Sequence, residues 1–480
     1  METSLLTPDG PAAPRPAARR RRRRRVLLWA VAVSVAGAAA AGGTLALLPE
    51  HRPPARPPAP GPEAVARTAV TAGVPASLPA LAALIGERER LVRARPRDGV
   101  SWALLGTAYA EQGRQTADVT LYPKAERALR RSLEVRPVAN PQAMEGLSAL
   151  ATARRDFPEA KKWAEEARSL APRRWTVYPP LIDAYTGLGD YKAGRAALDK
   201  LMELRKGPAV MARAAAVYRD RGWREDAQAQ LYDATAKARQ PAERAAYLER
   251  AGQLAWERGE REDALRHFQA AVRLEPYQRA ALAGEGRALA ALGRTSEALT
   301  AYQVALAKQP DPQYALELGE LYESLGLAQA ARVQYETLRA RVRQDEAGGV
   351  DGDLVLGRFE ADHGSARTAV DLLRAEWRRQ PGIAVADALG WALHRAGQDT
   401  EALRFAAVAT DKAHGGGVLS ASYAYHRGMI ERELEKYAPA RRHLRDALRI
   451  NPYFSPLAVP VAQSALATLG EVPGRAAPGA

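Results

Sequence analysis

The stretch Trp102-Ala103-Leu104-Leu105-Gly106-Thr107-Ala108-Tyr109 sets a tryptophan, a leucine–glycine pair and a tyrosine at helical spacing. Residues three, four and seven apart share one face of a helix, so these four side chains meet a common neighbour. The pattern then recurs with a fixed period. Gly252, Gly259, Ala264, Phe268, Ala271 and Pro276 are each followed 34 residues later by Gly286, Gly293, Ala298, Tyr302, Ala305 and Pro310. Such a period of small, large and turn-forming residues predicts stacked helix pairs, each packing on its neighbours alone. A chain of 480 residues exceeds a single compact core, and an array escapes that limit.

The spacing W-x2-L-G-x2-Y resembles the first helix of the tetratricopeptide repeat (TPR), and the resemblance spans about residues 98–455. It implies an all-α superhelical solenoid of about ten helix–turn–helix repeats. Repeat one opens at Trp102 and closes at Pro137. Its second helix arrives seven residues late, the excess lying between Thr116 and Tyr122. That excess reads either as a loop reaching into the groove or as a length variant. Further frames follow through Gly189, Gly222, Gly326, Gly364, Gly397 and Gly428 to Pro452, interrupted near 344–352 and at Gly415-Gly416-Gly417. A lone capping helix is expected from Leu78 to just before Pro96, and a closing helix over 457–469.

Ahead of the repeats, seven arginines, Arg19 to Arg25, abut an uncharged stretch that opens at Val26 and closes at Leu48. Those 23 residues suffice to cross a bilayer as a helix, and the preceding positive charge keeps the amino terminus inside. A cleaved signal peptide is the rival reading, with small residues at Ala38 to Ala41 offering cleavage sites. Both readings put the repeats outside the cytoplasmic membrane. The expected organisation is a basic cytoplasmic tail over 1–25, a transmembrane anchor or signal over 26–48 and a proline-rich linker over 49–76. The solenoid with its caps then occupies 77–471, and a disordered tail 472–480. The 60 arginines against 10 lysines fit a GC-rich bacterial genome; residues 1–67 hold +7 of the chain's +15 charge, and the remaining +8 is spread thinly over the repeats.

The chain has no cysteine, which excludes disulfides, thiol catalysis and thiolate metal sites. It carries no metalloprotease helix, phosphate loop, nucleophile elbow or dinucleotide fingerprint. Its seven histidines show no local ligand spacing. The sequence therefore reads as a binding protein, not an enzyme, with no cofactor and no metal. The TPR resemblance implies a protein or peptide partner in the concave groove. Projecting the repeat frame onto the chain nominates Asp183, Gln253, Trp256, Arg287, Glu320, Arg358, Asp387, Trp391, His394 and Tyr425 as groove residues. The asparagine–lysine clamp of chaperone-binding relatives is absent, since Asn140 and Asn451 are the only asparagines. The expected function is a membrane-tethered, extracytoplasmic scaffold. The alternative is a cytoplasmic regulatory TPR protein that binds nucleic acid or an acidic partner through its basic surface; nucleic acid is the less favoured partner.

Overall fold

A computed structural model describes residues 60–307, 310–411 and 417–470, and among these residues the chain is entirely helical. The first pairs are α1 (Pro62–Ala72) with α2 (Leu78–Ala94), α3 (Gly99–Thr116) with α4 (Leu121–Val135), and α5 (Pro141–Ala153) with α6 (Phe157–Leu170). Next come α7 (Tyr178–Gly187) with α8 (Tyr191–Leu204), α9 (Pro208–Asp220) with α10 (Arg224–Lys237), and α11 (Pro241–Glu257) with α12 (Arg261–Leu274). The array continues with α13 (Arg279–Ala291) and α14 (Thr295–Leu306), then α15 (Pro312–Ser324) and α16 (Ala328–Ala347). The last pairs are α17 (Asp353–His363) with α18 (Ala366–Arg379), α19 (Ile383–Arg395) with α20 (Asp399–Thr410), and α21 (Ala421–Glu433) with α22 (Tyr437–Ile450), before a single α23 (Ala458–Thr468).

The ten expected repeats are the pairs from α3 to α22. The stretch assigned to a linker and a lone cap holds an eleventh pair instead. Pro62 starts α1 at the position where its missing N–H costs nothing, and Ala66, Ala69 and Val70 bury the helix against α2 and α3. The expected anchor or signal at 26–48, the basic tail, most of the linker and the tail at 472–480 lie outside the described residues. Among the described residues, no helix is long and apolar enough to cross a membrane.

Small residues let paired helices touch. A Cβ on Gly106 would lie 2.5 Å from Leu129 Cγ of α4 and 2.8 Å from the Ala125 carbonyl. Phe268 is fully buried between two glycines, Gly252 of its own repeat and Gly284 of the next. Every pair except α17–α18 then turns through one residue in the left-handed region. Glycine holds that position at Gly293 (φ 75°), where nothing crowds a side chain and the backbone angle alone decides. Arg155 (φ 60°) and Glu435 (φ 57°) take it in repeats that lack the glycine.

The array winds far enough to meet itself. The Asp351 N–H donates to the Arg154 carbonyl at 2.9 Å, and Arg154 Nε donates to the Gly348 carbonyl at 3.2 Å. Asn451 Nδ2 donates to the Trp256 carbonyl at 2.8 Å, and the Arg261 guanidinium sits 4.4 Å above the Tyr453 ring. Arg224 reaches the Leu419 carbonyl and Arg341 the Ala117 carbonyl. Gly222 is required at its place, because a Cβ there would come within 2.5 Å of the Gly417 carbonyl. Apart from Arg341, which reaches across from α16, a turn within a repeat of the first coil meets a turn between repeats of the second, about 195 to 225 residues later. The excess at 116–122 is absorbed here. It lengthens α3 and tucks Val119 beneath Gly348, so it serves as a seat for the second coil, and Ala117, Val119 and Tyr122 also line the groove.

Candidate binding channel

Closure of the first coil turns the concave groove into a walled channel with a cavity of about 760 Å³. That volume lies within the range of about 300–1,000 Å³ typical of ligand sites. The end of α1 and the turn Gly73–Pro75 form one wall, held in place by Gln115 Nε2 donating to the Ala76 carbonyl at 2.9 Å. The first helices of successive repeats supply the others: α3 with Thr107, α5 with Ala149, α7 with Asp183, α9 with Arg213 and α11 with Arg250. The end of α16, with Arg341 and Asp345, closes the far side.

Charge in the channel is mixed, eight arginines facing six carboxylates. Four pairs neutralise one another. Arg114 meets Glu111 at 2.7 Å, Arg174 meets Glu145 at 2.7 Å, Arg341 meets Asp345 at 2.8 Å, and Arg213 binds Asp183. Burial raises the Glu145 carboxyl above its ordinary range even though Arg174 and Thr176 both donate to it. Arg250 differs: half-buried, it forms no hydrogen bond or salt bridge among the described residues. Burial, reinforced by the neighbouring Arg213 charge, pulls its pKa below the ordinary arginine value. Gln142 Oε1, also in the cavity lining, is buried without a donor.

Of the ten residues projected onto the groove, Asp183 lines this cavity. The others sit elsewhere along the first helices and are largely spent on neighbouring repeats. Arg287 donates to Gln253 at 2.9 Å and to Glu317 at 3.2 Å, and lies 5.6 Å from the Trp256 ring. Trp256 and Trp391 are buried at 7% and 8% exposure, so both are packing residues. Asp387, Trp391, His394 and Tyr425 come together around His426. The His426 ring stacks on Trp391 at 4.4 Å, and its Nδ1 lies 2.9 Å from Asp387. His394 pairs with Asp399, and Trp391 Nε1 donates to Asp362 at 2.9 Å. Glu320 meets His363 at 3.6 Å, while burial raises its carboxyl. Arg358 is half-buried on α17 and has no ion pair among the described residues.

The frame projection missed Arg213 and Arg250. A signal was present: each stands nine residues before its repeat's turn glycine, Gly222 and Gly259. For several repeats the projection took the position six residues before that glycine, where Gln253 and Arg287 meet a neighbouring repeat while Asp183 reaches the channel. The one group of three potential metal ligands among the described residues is Asp351, Asp353 and Glu376. Arg379 pairs with the first and last of these, and Gln380 donates to Asp351 at 3.2 Å, so the group belongs to the joint between coils.

A family model described as tetratricopeptide repeat matches residues 249–315 and 284–346, two overlapping windows set one helix pair apart on the repeats from α11 to α16. The chain is a tetratricopeptide repeat protein. A search of curated proteins finds no match to this TPR chain. Among solved structures, it is similar to the human IFIT1 dimer with PPP-AAAA, at 18% identity and a TM-score of 0.45 over 66% of this chain and 73% of that one. It is also similar to the APC/C hetero-tetramer Cut9–Hcn1, at 15% identity and a TM-score of 0.38 over 77% and 76%. PilF from Pseudomonas aeruginosa, at 17% identity and a TM-score of 0.35, aligns over 44% of this chain and 98% of its own. At these identities the likeness is one of fold. A TPR array of this kind is a protein-interaction scaffold and typically not an enzyme.

Proposed function

We propose that this TPR chain is a membrane-tethered, extracytoplasmic scaffold that holds a segment of a partner protein within its channel. The observation that carries the reading is the walled cavity of about 760 Å³, with Arg250 in its lining held by no hydrogen bond or salt bridge among the described residues. A preformed concave surface with a few placed polar groups is the usual form of a recognition site. The seven-arginine run ahead of the uncharged stretch 26–48 supports the tether and its outward orientation.

The test is a photo-reactive amino acid placed inside or outside the array in cells expressing the full chain. Cross-links to a discrete protein are expected from Thr107 and Ala149, which line the channel, and not from Tyr232, which is 75% exposed outside that lining. Equal cross-linking from all three positions, or none from the channel, would contradict the reading. Protease added to intact cells tests the tether separately. Digestion of the repeats with survival of a small membrane-bound amino-terminal fragment is expected, and protection of the repeats until lysis counts against it.

A further inference from the structure

The channel lining contains a cation without a salt bridge and an acceptor without a donor among the described residues. Arg250 is a half-buried cation with no salt-bridge partner among the described residues, set beside a second guanidinium at Arg213. Arg213 carries one carboxylate, Asp183, and both arginines also border the smaller recess behind Gly73, Val74 and Pro75. Gln142 Oε1 is an acceptor buried in the same lining with no donor. Leaving such groups unmatched costs free energy, so their presence in a cavity wall points to a ligand that matches them.

We propose that the channel takes an extended acidic peptide segment, one of whose carboxylates is held by Arg250 together with Arg213, while a peptide N–H donates to Gln142 Oε1. This rests on the reading of the channel as the partner-binding surface and adds the chemistry of the partner. The ligand must supply both an anion and a donor. A peptide does so at every acidic residue, whereas a phosphodiester backbone offers acceptors alone. Four of the six carboxylates in the wall are already paired with arginines, so the remaining positive charge stands at separate positions that suit isolated negative charges rather than a continuous polyanion. Apolar side chains at Val70, Val74 and Leu104 give the uncharged residues of such a segment a surface to cover.

The probe is a dye-labelled, end-blocked peptide of alternating Glu and Leu, compared with its Gln-and-Leu counterpart and a single-stranded oligonucleotide of equal charge. Fluorescence anisotropy is measured with the full chain in detergent micelles. The Glu peptide is expected to bind at least tenfold more tightly than either comparison probe. Arg250→Gln should remove most of that preference, Arg250→Lys should restore part of it, and Arg266→Gln, at an exposed surface pair, should leave it unchanged. An unchanged thermal midpoint for Arg250→Gln shows that lost binding is not lost folding.

Three outcomes would overturn the proposal: no binding of the Glu peptide, equal binding by Arg250→Gln, or tighter binding of the oligonucleotide. The two readings fail separately. Channel cross-links to a partner combined with an inert Arg250→Gln sink the acidic-peptide assignment and leave the scaffold standing. Absence of channel cross-links removes the scaffold reading itself.

Discussion

Gln380 grips the backbone of Arg155 from 225 residues away, its Nε2 donating to the Arg155 carbonyl at 3.0 Å. Its Oε1 in turn accepts the Phe157 N–H at 3.2 Å, so one amide side chain satisfies a donor and an acceptor of the opposite coil. The residue is 2% exposed, which shields these bonds from bulk solvent. Such contacts fasten turn to turn without a large apolar interface. They make the channel a consequence of polar bonds between distant repeats.

Gln380→Ala should therefore loosen the joint. Two groups of the opposite turn lose a buried partner, at a cost of about 1–3 kcal/mol. Helical content is expected to stay constant while hydrogen exchange accelerates at 154–157 and the radius of gyration grows. Unchanged exchange there would show that the coils hold together by other means.

The seat formed by the inserted residues offers a second test. A Cβ on Gly348 would fall 2.5 Å from Val119 Cβ, so Gly348→Val should push the second coil off its seat. Overpacking of this kind costs about 1–3 kcal/mol in urea unfolding. Val119→Gly removes the obstructing Cβ, so adding it to Gly348→Val should recover part of the loss, and additive effects would contradict the contact.

The repeat core gives the largest expected loss. Phe268 is fully buried between Gly252 and Gly284, and truncating a buried phenylalanine to alanine costs about 3–5 kcal/mol. Because coupling runs between neighbours, proteolysis of Phe268→Ala should begin within α11 to α13 and leave distant repeats intact at first. A uniform loss of protection would mean that closure of the coils makes the array fold as one unit.

Asp220 should make stability depend on pH. Burial pushes its carboxyl up to about 6 from the ordinary 3.8, with Arg219 opposing the shift and Glu257 adding to it. The folded pKa exceeds the unfolded one, so the stabilising contribution is full below about pH 4 and is lost as pH rises through about 6. Asp220→Asn should then exceed the parent in stability by about 1–3 kcal/mol near pH 7.5, the difference vanishing below about pH 4. A destabilised variant at neutral pH would mean that the Arg219 pairing outweighs burial.

Arg250→Gln should not destabilise the fold, since no salt bridge is lost among the described residues. An unfolding midpoint equal to or above the parent's is expected, as where a binding group is held at the expense of stability. A clear loss of stability would assign Arg250 a structural role.

The helix pairs from α3 to α22 were legible because local packing imposes them: Gly106 under Leu129 and Phe268 between two glycines leave a 34-residue trace. The pair α1–α2 was only half legible. Pro62 ends a proline-rich run and reads as linker, yet it also opens a helix. Closure of the coils left no trace of that kind, since Gln380 and Asn451 bind backbone carbonyls, which carry no residue identity. Apart from Asp183, the projected groove residues fall outside the channel lining. Trp391 packs against its neighbours, whereas Arg213 and Arg250, three positions earlier in the frame, reach the channel.

The absence of cysteine from the whole chain permits the most direct test, a disulfide across the coils. Arg154 and Asp351 are joined backbone to backbone by a 2.9 Å hydrogen bond, an approach compatible with a disulfide. In the full chain carrying Arg154→Cys and Asp351→Cys, mild oxidation should form the bond rapidly and within one molecule. Sharpened proteolytic resistance of the first coil should follow. Failure to form it, or formation only between molecules, would mean that the coils do not close and that the walled channel does not exist.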